Sequence, residues 1–372
     1  MNRNNIVIST YDSLHNPYYG GGGAIAIHEV SKILSREYDI TVLTGKYPGS
    51  FDTVVEGVRY AHVGVFRFGP LFGQLFFHFA IIRTIRKMNF DCLIESFTPP
   101  FSTSCTPLLT KKPVIGLVHM LAGKDMSRKY KIPFHYLERF GLRFYRRIIV
   151  VTDEMKDKIR AINPNISITI IPNAVNVSSI VLSNEPKKYI VYLGRIDIEV
   201  KGLDLLINAY KRDRKKDLPP LIIIGNGLRS EVKRLQQIIR KEELQDRIIL
   251  YGKAGEFEKG LLFSYAYGCV LPSRSEAFSL TALECLKIGI PLITFDIDGL
   301  RWIPNDVSIK TERFNSDELK NNIIRLIADE KLQNQLIDRG RAFSEQFNWQ
   351  NSANRYAEVI TDTLKNNSGN RL

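Results

Sequence analysis

Short apolar runs alternate with longer stretches of mixed polarity from one end of the chain to the other. Runs of this length, apolar on both faces and bounded by Gly, Pro, Asn or Ser, are what the inner strands of a parallel sheet require. In the first half they predict strands at Ile6–Thr10, Ile40–Thr44, Gly57–Gly64, Asp91–Ser96, Pro113–His119, Arg147–Thr152 and Ile168–Ile171. A helical segment from about Ala24 to Arg36 joins the first two, a βαβ unit with Gly20-Gly21-Gly22-Gly23 at the corner where such units approach phosphate. Phe68–Ile82 is rich in Phe and Ile but shorter than the roughly 20 residues a membrane span needs, so it reads as a buried or interfacial helix.

At Val177–Lys188 the text becomes VSSIVLSNEPKK, polar and turn-rich, a linker by composition. A second alternating series follows. Its strands are KYIVYL up to Gly194-Arg195, Leu221–Ile224, Arg247–Tyr251, Gly268–Leu271 and Pro291–Phe295, with helices opening at Lys201-Gly202 and spanning Ser230–Lys241 and Leu280–Ile288. The prediction is an α/β protein with two Rossmann-like doubly wound domains, 1–178 and 188–346, facing a central cleft that would hold the ligand.

The chemistry gathers where the second series turns from strand to helix. CVLPSRSEAFSLTALECLKIGIP reads as a buried strand, a polar turn with Glu276, and a helix capped by Ser279, carrying Glu284 and stopped by Gly289 and Pro291. Such a helix points unpaired amides and a positive dipole end into the crevice above the sheet, where a phosphate is welcome. Arg195 at a strand end and Lys201 at a helix start would face the same crevice as two cations for a diphosphate. Gly225-Asn226-Gly227 adds a tight turn beside them. His119 closes the strand PVIGLVH at its carboxyl end; it is read either as structural or as a hydrogen-bonding group for a sugar.

Composition narrows this little: at 372 residues, 44% hydrophobic and 24% charged, the chain is an ordinary soluble one. Charge narrows it more. The net +13 asks for an anionic partner. Ten Lys or Arg lie between Lys111 and Arg147 against Asp125 and Glu138, interleaved with aromatic residues. That segment suits a peripheral contact with an anionic membrane, or else a solvated helix face over a core stripe of Phe134, Leu137, Phe140 and Phe144. No nucleic-acid-binding module accompanies it. Four cysteines at 92, 105, 269 and 285, without CxxC spacing, read as buried thiols of a reducing compartment. MNRNNIVIST enters a strand directly, which gives a cytoplasmic expectation, extended to the inner face of the cell membrane by the basic segment.

The run YLGRIDIEVKGLDLLINAY, then IIIGNG, then SEAFSLTALECLKIGIPLI resembles the family 4 glycosyltransferases of GT-B fold through its GR-x5-KG and E-x7-E motifs. GGGGAIAIHEVSKILSREYDITVLTGKYPG, KKPVIGLVHMLAG and IIPNAVN extend the resemblance through the first half, and FNWQNSANRYAEVI is similar to the family's last helix. The resemblance implies an acceptor-binding first domain, a nucleotide-sugar-binding second domain, and a helix within 347–372 that crosses back to the first.

It further implies a retaining hexosyltransferase for a glycan, polysaccharide or lipid-linked hydroxyl acceptor, using a nucleoside-diphosphate sugar as co-substrate with no cofactor or bound metal. Arg195 and Lys201 would bind the diphosphate with the backbone of Phe278, Ser279, Leu280, Thr281 and the Gly20–Gly23 loop; Gly225 and Asn226 complete the donor set. Glu284 would hold the ribose, Glu276 would lie against the transferred sugar, and His119 would contact that sugar from the other lobe. The catalytic set is then His119, Glu276, Arg195 and Lys201. Where the family often has glycine this chain has Ala277 and Ser279, and Trp302 stands where it often has an acid. Asp296-Ile297-Asp298 spells DxD but reads as a strand end with a turn. A nucleotide-sugar epimerase and a non-catalytic glycan or headgroup binder are the alternatives. A nicotinamide dehydrogenase ranks last, since neither half carries GxGxxG.

Overall fold

The apolar runs assemble into two sheets, one in each of two units, Met1–Ala174 with Asn348–Leu372 and Val175–Phe347. The computed structural model describes residues 3–16, 20–66, 70–97, 105–121, 123–177 and 186–369. Most of the linker expected at Val177–Lys188 therefore lies outside the described residues.

The first unit runs β1 (Asn5–Ser9), α1 (Gly22–Leu34), β2 (Asp39–Gly45), β3 (Thr53–Val55), β4 (Val58–Val63), α2 (Pro70–Ile85), β5 (Cys92–Ser96), α3 (Thr106–Leu109), β6 (Val114–Val118), α4 (Gly123–Tyr130), α5 (Phe134–Leu142), β7 (Arg147–Val150), α6 (Asp153–Arg160) and β8 (Ser167–Ile170). Its strand order is β3-β4-β2-β1-β5-β6-β7-β8. Every pair is parallel except the β3–β4 hairpin. The strand expected at Gly57–Gly64 is β4, and the hairpin adds β3 before it: Glu56 and Gly57 turn it at positive φ, and the first arm, TVV, is too short to stand out in the sequence. The order reverses between β1 and β5, so the crevice lies at the carboxyl ends of β1, β5 and β6.

One amphipathic segment here turns differently from the stripe expected. On α5, Phe134, Glu138, Gly141 and Leu142 are buried, whereas Leu137 and Phe140 are 50% and 51% exposed. The core stripe predicted for Phe134, Leu137, Phe140 and Phe144 is thus corrected: only Phe134 is core. The buried Glu138 decides the face, because its carboxylate accepts the Gly123 amide at 2.8 Å and an inward charge needs that partner. On α2, Phe77, Ile81 and Ile85 pack inward while Phe72 and Phe79 face solvent.

The second unit runs β9 (Tyr189–Leu193), α7 (Leu203–Lys211), β10 (Leu221–Ile224), α8 (Arg229–Lys241), β11 (Ile248–Gly252), α9 (Glu256–Ser264), β12 (Ala266–Leu271), α10 (Leu280–Ile288), β13 (Leu292–Phe295), β14 (Ile309–Thr311), α11 (Ser316–Ala328) and α12 (Glu330–Ser344). All its strands are parallel, in the order β11-β10-β9-β12-β13-β14. The switch point falls between β9 and β12, the two strands that deliver the GR-x5-KG and E-x7-E motifs. The Lys287 ammonium at the end of α10 donates to the carbonyls of Val175 and Phe347 at 3.1 and 2.9 Å, tying together the residues that open and close the unit.

The last helix, α13 (Trp349–Gly369), belongs to the first unit and packs along α1. Cys92, Cys269 and Cys285 are buried free thiols and Cys105 is half-buried. No helix among the described residues is long and apolar enough to cross a membrane.

Candidate active site

Backbone contacts that only glycine permits bring the second unit's loops together. A β-carbon on Gly225 would sit 1.8 Å from Gly194 O, and one on Gly227 would sit 2.1 Å from Ile196 O. The loops after β9 and β10 therefore lie main chain against main chain, joined by the Ile196 amide donating to Asn226 O at 2.8 Å. Gly202 does the same between β9 and β12: it caps α7 at φ +63, where a β-carbon would meet Pro272 O at 1.8 Å. Lys201 is by this means set against the turn that carries Glu276.

There Lys201 Nζ lies 2.6 Å from Glu276 Oε1, which also accepts the Ser273 hydroxyl at 2.7 Å. Lys201 and Glu276, expected to serve the diphosphate and the sugar separately, are thus an ion pair, with Ser273 fixing the carboxylate. Arg195 differs: its guanidinium is 65% exposed and touches Asp197 at 3.4 Å, free to swing toward an anion. Arg274, unnoticed in the sequence, grips Asp204 through two bonds of 2.7 and 2.6 Å and so pins the Glu276 turn to α7.

The amino end of α10 adjoins this pair. Ser279 takes φ +67 and its hydroxyl accepts the Ala282 amide at 3.3 Å. Leu280 and Thr281 precede the first amide that can find a helical acceptor, and the first turn holds no acid. These amides and the dipole end are open to a negative group. Phe278, just before the cap, stacks on Trp302 with centroids 4.3 Å apart, and the indole N–H donates to Phe278 O at 2.7 Å. Trp302 thus supports the turn from beneath.

Glu284 faces Lys259 of α9, 2.5 Å away, and Lys259 also reaches Glu256 at 2.6 Å. Burial lowers the Lys259 pKa, but the bonds to Glu256 and Glu284 outweigh it and the net shift is upward. Neither α9 nor Lys259 was foreseen; the signal was the Glu256/Lys259 pair three residues apart in EFEKGLLFS. Asp296 and Asp298 lie just beyond β13, where Asp298 pairs with Arg313 at 2.5 Å and Arg301 at 3.6 Å.

In the first unit the corresponding corner is the start of α1. Gly21 caps it without a side-chain bond, its first turn holds no acid, and Gly20, Gly21 and Gly22 line the approach. A β-carbon on Gly23 would lie 3.6 Å from the His119 ring and 3.8 Å from the Asp12 carboxylate, so both side chains lie against the first turn. Both His119 ring nitrogens are buried without a hydrogen-bond partner, and burial lowers the pKa to about 4, keeping the ring neutral. Burial moves Asp12 the other way, up to about 6. Asp12 escaped the sequence reading because nothing distinguishes an acid just after β1 from a turn residue. Partnerless polar groups at a helix start and strand ends are the condition of a site prepared for a ligand.

The chain matches the family Glycosyl transferases group 1 over residues 176–343 and Glycosyltransferase Family 4 over residues 20–179. It is 26% identical over 344 residues to an uncharacterised glycosyltransferase of Methanocaldococcus jannaschii, covering 91% of this chain and 93% of that protein. Its fold is similar to that of sucrose-phosphate synthase from Thermosynechococcus elongatus, with a TM-score of 0.79, 20% identity, and 97% and 99% of the two chains covered. It is also similar to Anabaena HepE, solved in complex with UDP and glucose, with a TM-score of 0.74, 14% identity, and 96% and 100% covered.

Proposed function

Because the chain belongs to the family 4 glycosyltransferases of GT-B fold, we propose that it is a retaining hexosyltransferase using a nucleoside-diphosphate sugar as donor. The observation that carries the reading is the meeting of Lys201, Arg195 and the open amino end of α10 at the carboxyl ends of β9 and β12. Two cations and a helix start match a diphosphate, whose charge grows as the sugar leaves. Groups already aimed at that charge lower the barrier without reorganising, and they do the neutralising that a divalent ion does elsewhere.

Glu276, held by Lys201 and Ser273, is oriented toward sugar hydroxyls rather than toward attack. Glu284 is set to accept from ribose hydroxyls, with Lys259 fixing its carboxylate. In the first unit His119 stays neutral, so it can offer a hydrogen bond to a sugar without presenting a charge, and the Gly20–Gly23 amides offer donors to an anion. The structure of HepE with UDP and glucose supports a nucleotide-sugar donor of this kind. The acceptor is a hydroxyl of a glycan, polysaccharide or lipid-linked sugar.

The test is a thermal-shift panel of nucleoside diphosphates and their sugars, followed by transfer or donor-hydrolysis assays of three variants. A donor at a hundredfold excess over its Kd adds about 2.7 kcal/mol to the folded state. Arg195→Ala and Lys201→Ala are each expected to lose about 10²–10³-fold in turnover, the usual cost of one preorganised donor. Glu284→Ala is expected to raise KM for the donor more than it lowers kcat. Near-normal turnover in all three overturns the reading. An isomerised donor sugar formed without any acceptor identifies an epimerase instead.

A further inference from the structure

The basic segment lines a pocket at the opposite end of the first unit's strands from His119. A pocket of about 390 Å³ in the first unit is lined by Lys111, Lys112, Arg146 and Arg147 together with Leu108 and Phe144. Its remaining polar lining is Thr110, Thr363, Asn366 and Asn367, so it holds hydrogen-bond donors but no carboxylate. None of the four cations forms an ion pair with a described residue. Four unpaired like charges around one concavity repel one another, an arrangement that costs stability unless an anion occupies it.

The place separates it from the catalytic corner. Arg147 pairs in register with Ile115, so the pocket sits at the amino-terminal edge of β6 and β7. His119 follows the carboxyl end of β6, five residues from Val114, or roughly 16 Å along an extended strand.

The surroundings indicate what carries the anion. Leu108 on the rim is 61% exposed. Phe144 in the wall meets Phe140 edge-on at 5.0 Å, and from Phe140 an outward apolar stripe continues along α5 through Leu137 and the 66% exposed Tyr136. Arg139 and Arg143 are exposed on the same helix and its end, and Glu138, the acid of α5, is turned inward onto Gly123. A soluble phosphate ester has no use for the apolar stripe; a bilayer interface takes both parts, headgroup phosphate in the pocket and ring edges among the upper acyl carbons. We propose that this pocket receives the phosphate headgroup of an anionic lipid while the outer face of α5 lies in the membrane interface.

The experiment is co-sedimentation of the full chain with vesicles of equimolar phosphatidylglycerol and phosphatidylcholine, against pure phosphatidylcholine, at low and high salt. A parallel arm measures the melting shift given by inorganic phosphate. The wild type is expected to bind the mixed vesicles, release them at high salt, and ignore the neutral ones. Partitioning should fall about fivefold for each cation removed in Lys111→Gln, Lys112→Gln and Arg146→Gln, combined and then extended by Arg147→Gln. Leu137→Ser with Phe140→Ser should weaken vesicle binding yet leave any phosphate-induced melting shift unchanged. Lys111 and Lys112 lie on a surface turn, so their variants keep the test valid should Arg147→Gln fail to fold, and donor hydrolysis should be unaffected in all. Equal partitioning of wild type and charge variants, equal binding to neutral vesicles, or stabilisation by phosphate without vesicle binding would each overturn the lipid assignment, the last in favour of a soluble phosphate.

Discussion

Burial acts in opposite directions on the two ionisable groups beside Gly23, and the signs can be followed through to stability. The Asp12 pKa rises to about 6 on folding, so the folded state holds its proton more tightly than the unfolded chain does. Its stabilising share is fully present below the unfolded value of 3.8 and is lost as pH rises through about 6. His119 falls from 6.5 to about 4, so its share is present above 6.5 and is lost as pH falls toward 4. Each is worth on the order of 3 kcal/mol. Asp12→Asn should therefore raise the melting temperature well above neutral pH's wild-type value and give no gain below about pH 4. His119→Gln should gain relative stability as pH drops below 6.5. Melting curves at the two ends of the range check both. An Asp12→Asn variant that is less stable at neutral pH would mean that a cation holds the carboxylate. Such unpaired burial serves no packing purpose, which is the physical ground for proposing a ligand at this corner.

Among the elements, those legible in the sequence have local signals. The loop and helix of the E-x7-E segment are legible to the residue, Ser279 cap and Gly289 stop included, because caps and stops are written in neighbouring positions. Inner strands are likewise legible to within a residue or two, since burial on both faces leaves an unbroken apolar run. What stayed hidden depends on partners distant in sequence. The helical spacing of Phe134, Leu137 and Phe140 was seen, but which side turns inward was settled by Glu138 meeting Gly123. Lys259 became visible only once α9 was laid beside α10.

Ser279 offers a test at this scale, because two opposed effects meet in it. A non-glycine residue in a left-handed conformation costs about 1–2 kcal/mol, while a Ser cap contributes about 1. Ser279→Gly gives up the cap and relieves the strain, so its stability should stay within about 0.5 kcal/mol of wild type. Ser279→Ala keeps the strain and loses the cap, and should fall by about 1 kcal/mol. Denaturant unfolding of both separates them; equal losses would show that the left-handed turn carries no strain here.

On the scale of the whole chain, the path leaves the first unit at Ala174 and returns to it at Asn348, so the last helix completes a core begun some three hundred residues earlier. α13 packs along α1, buries Ala353, Tyr356, Val359 and Ile360, and bonds Thr361 to Tyr38 at 3.2 Å and Ser352 to Pro172 O at 2.9 Å. Burying three large apolar side chains contributes about 1.5–3 kcal/mol each, a sum comparable with the 5–15 kcal/mol by which a domain is stable at all. The second unit is closed on itself where Lys287 joins Val175 to Phe347. A chain ending at Phe347 should therefore split its unfolding into two transitions. The first unit's would be lowered by at least about 10 °C, at the 2–4 °C per kcal/mol expected of units this size, and the second unit's would keep its wild-type position. Calorimetry with and without a nucleoside diphosphate decides the matter: the ligand should still raise the upper transition, because Arg195, Lys201, Glu284 and the start of α10 all lie before the cut. A single transition, lowered as a whole, would mean that the two units are not independently stable and that α13 supports the donor-binding elements as well.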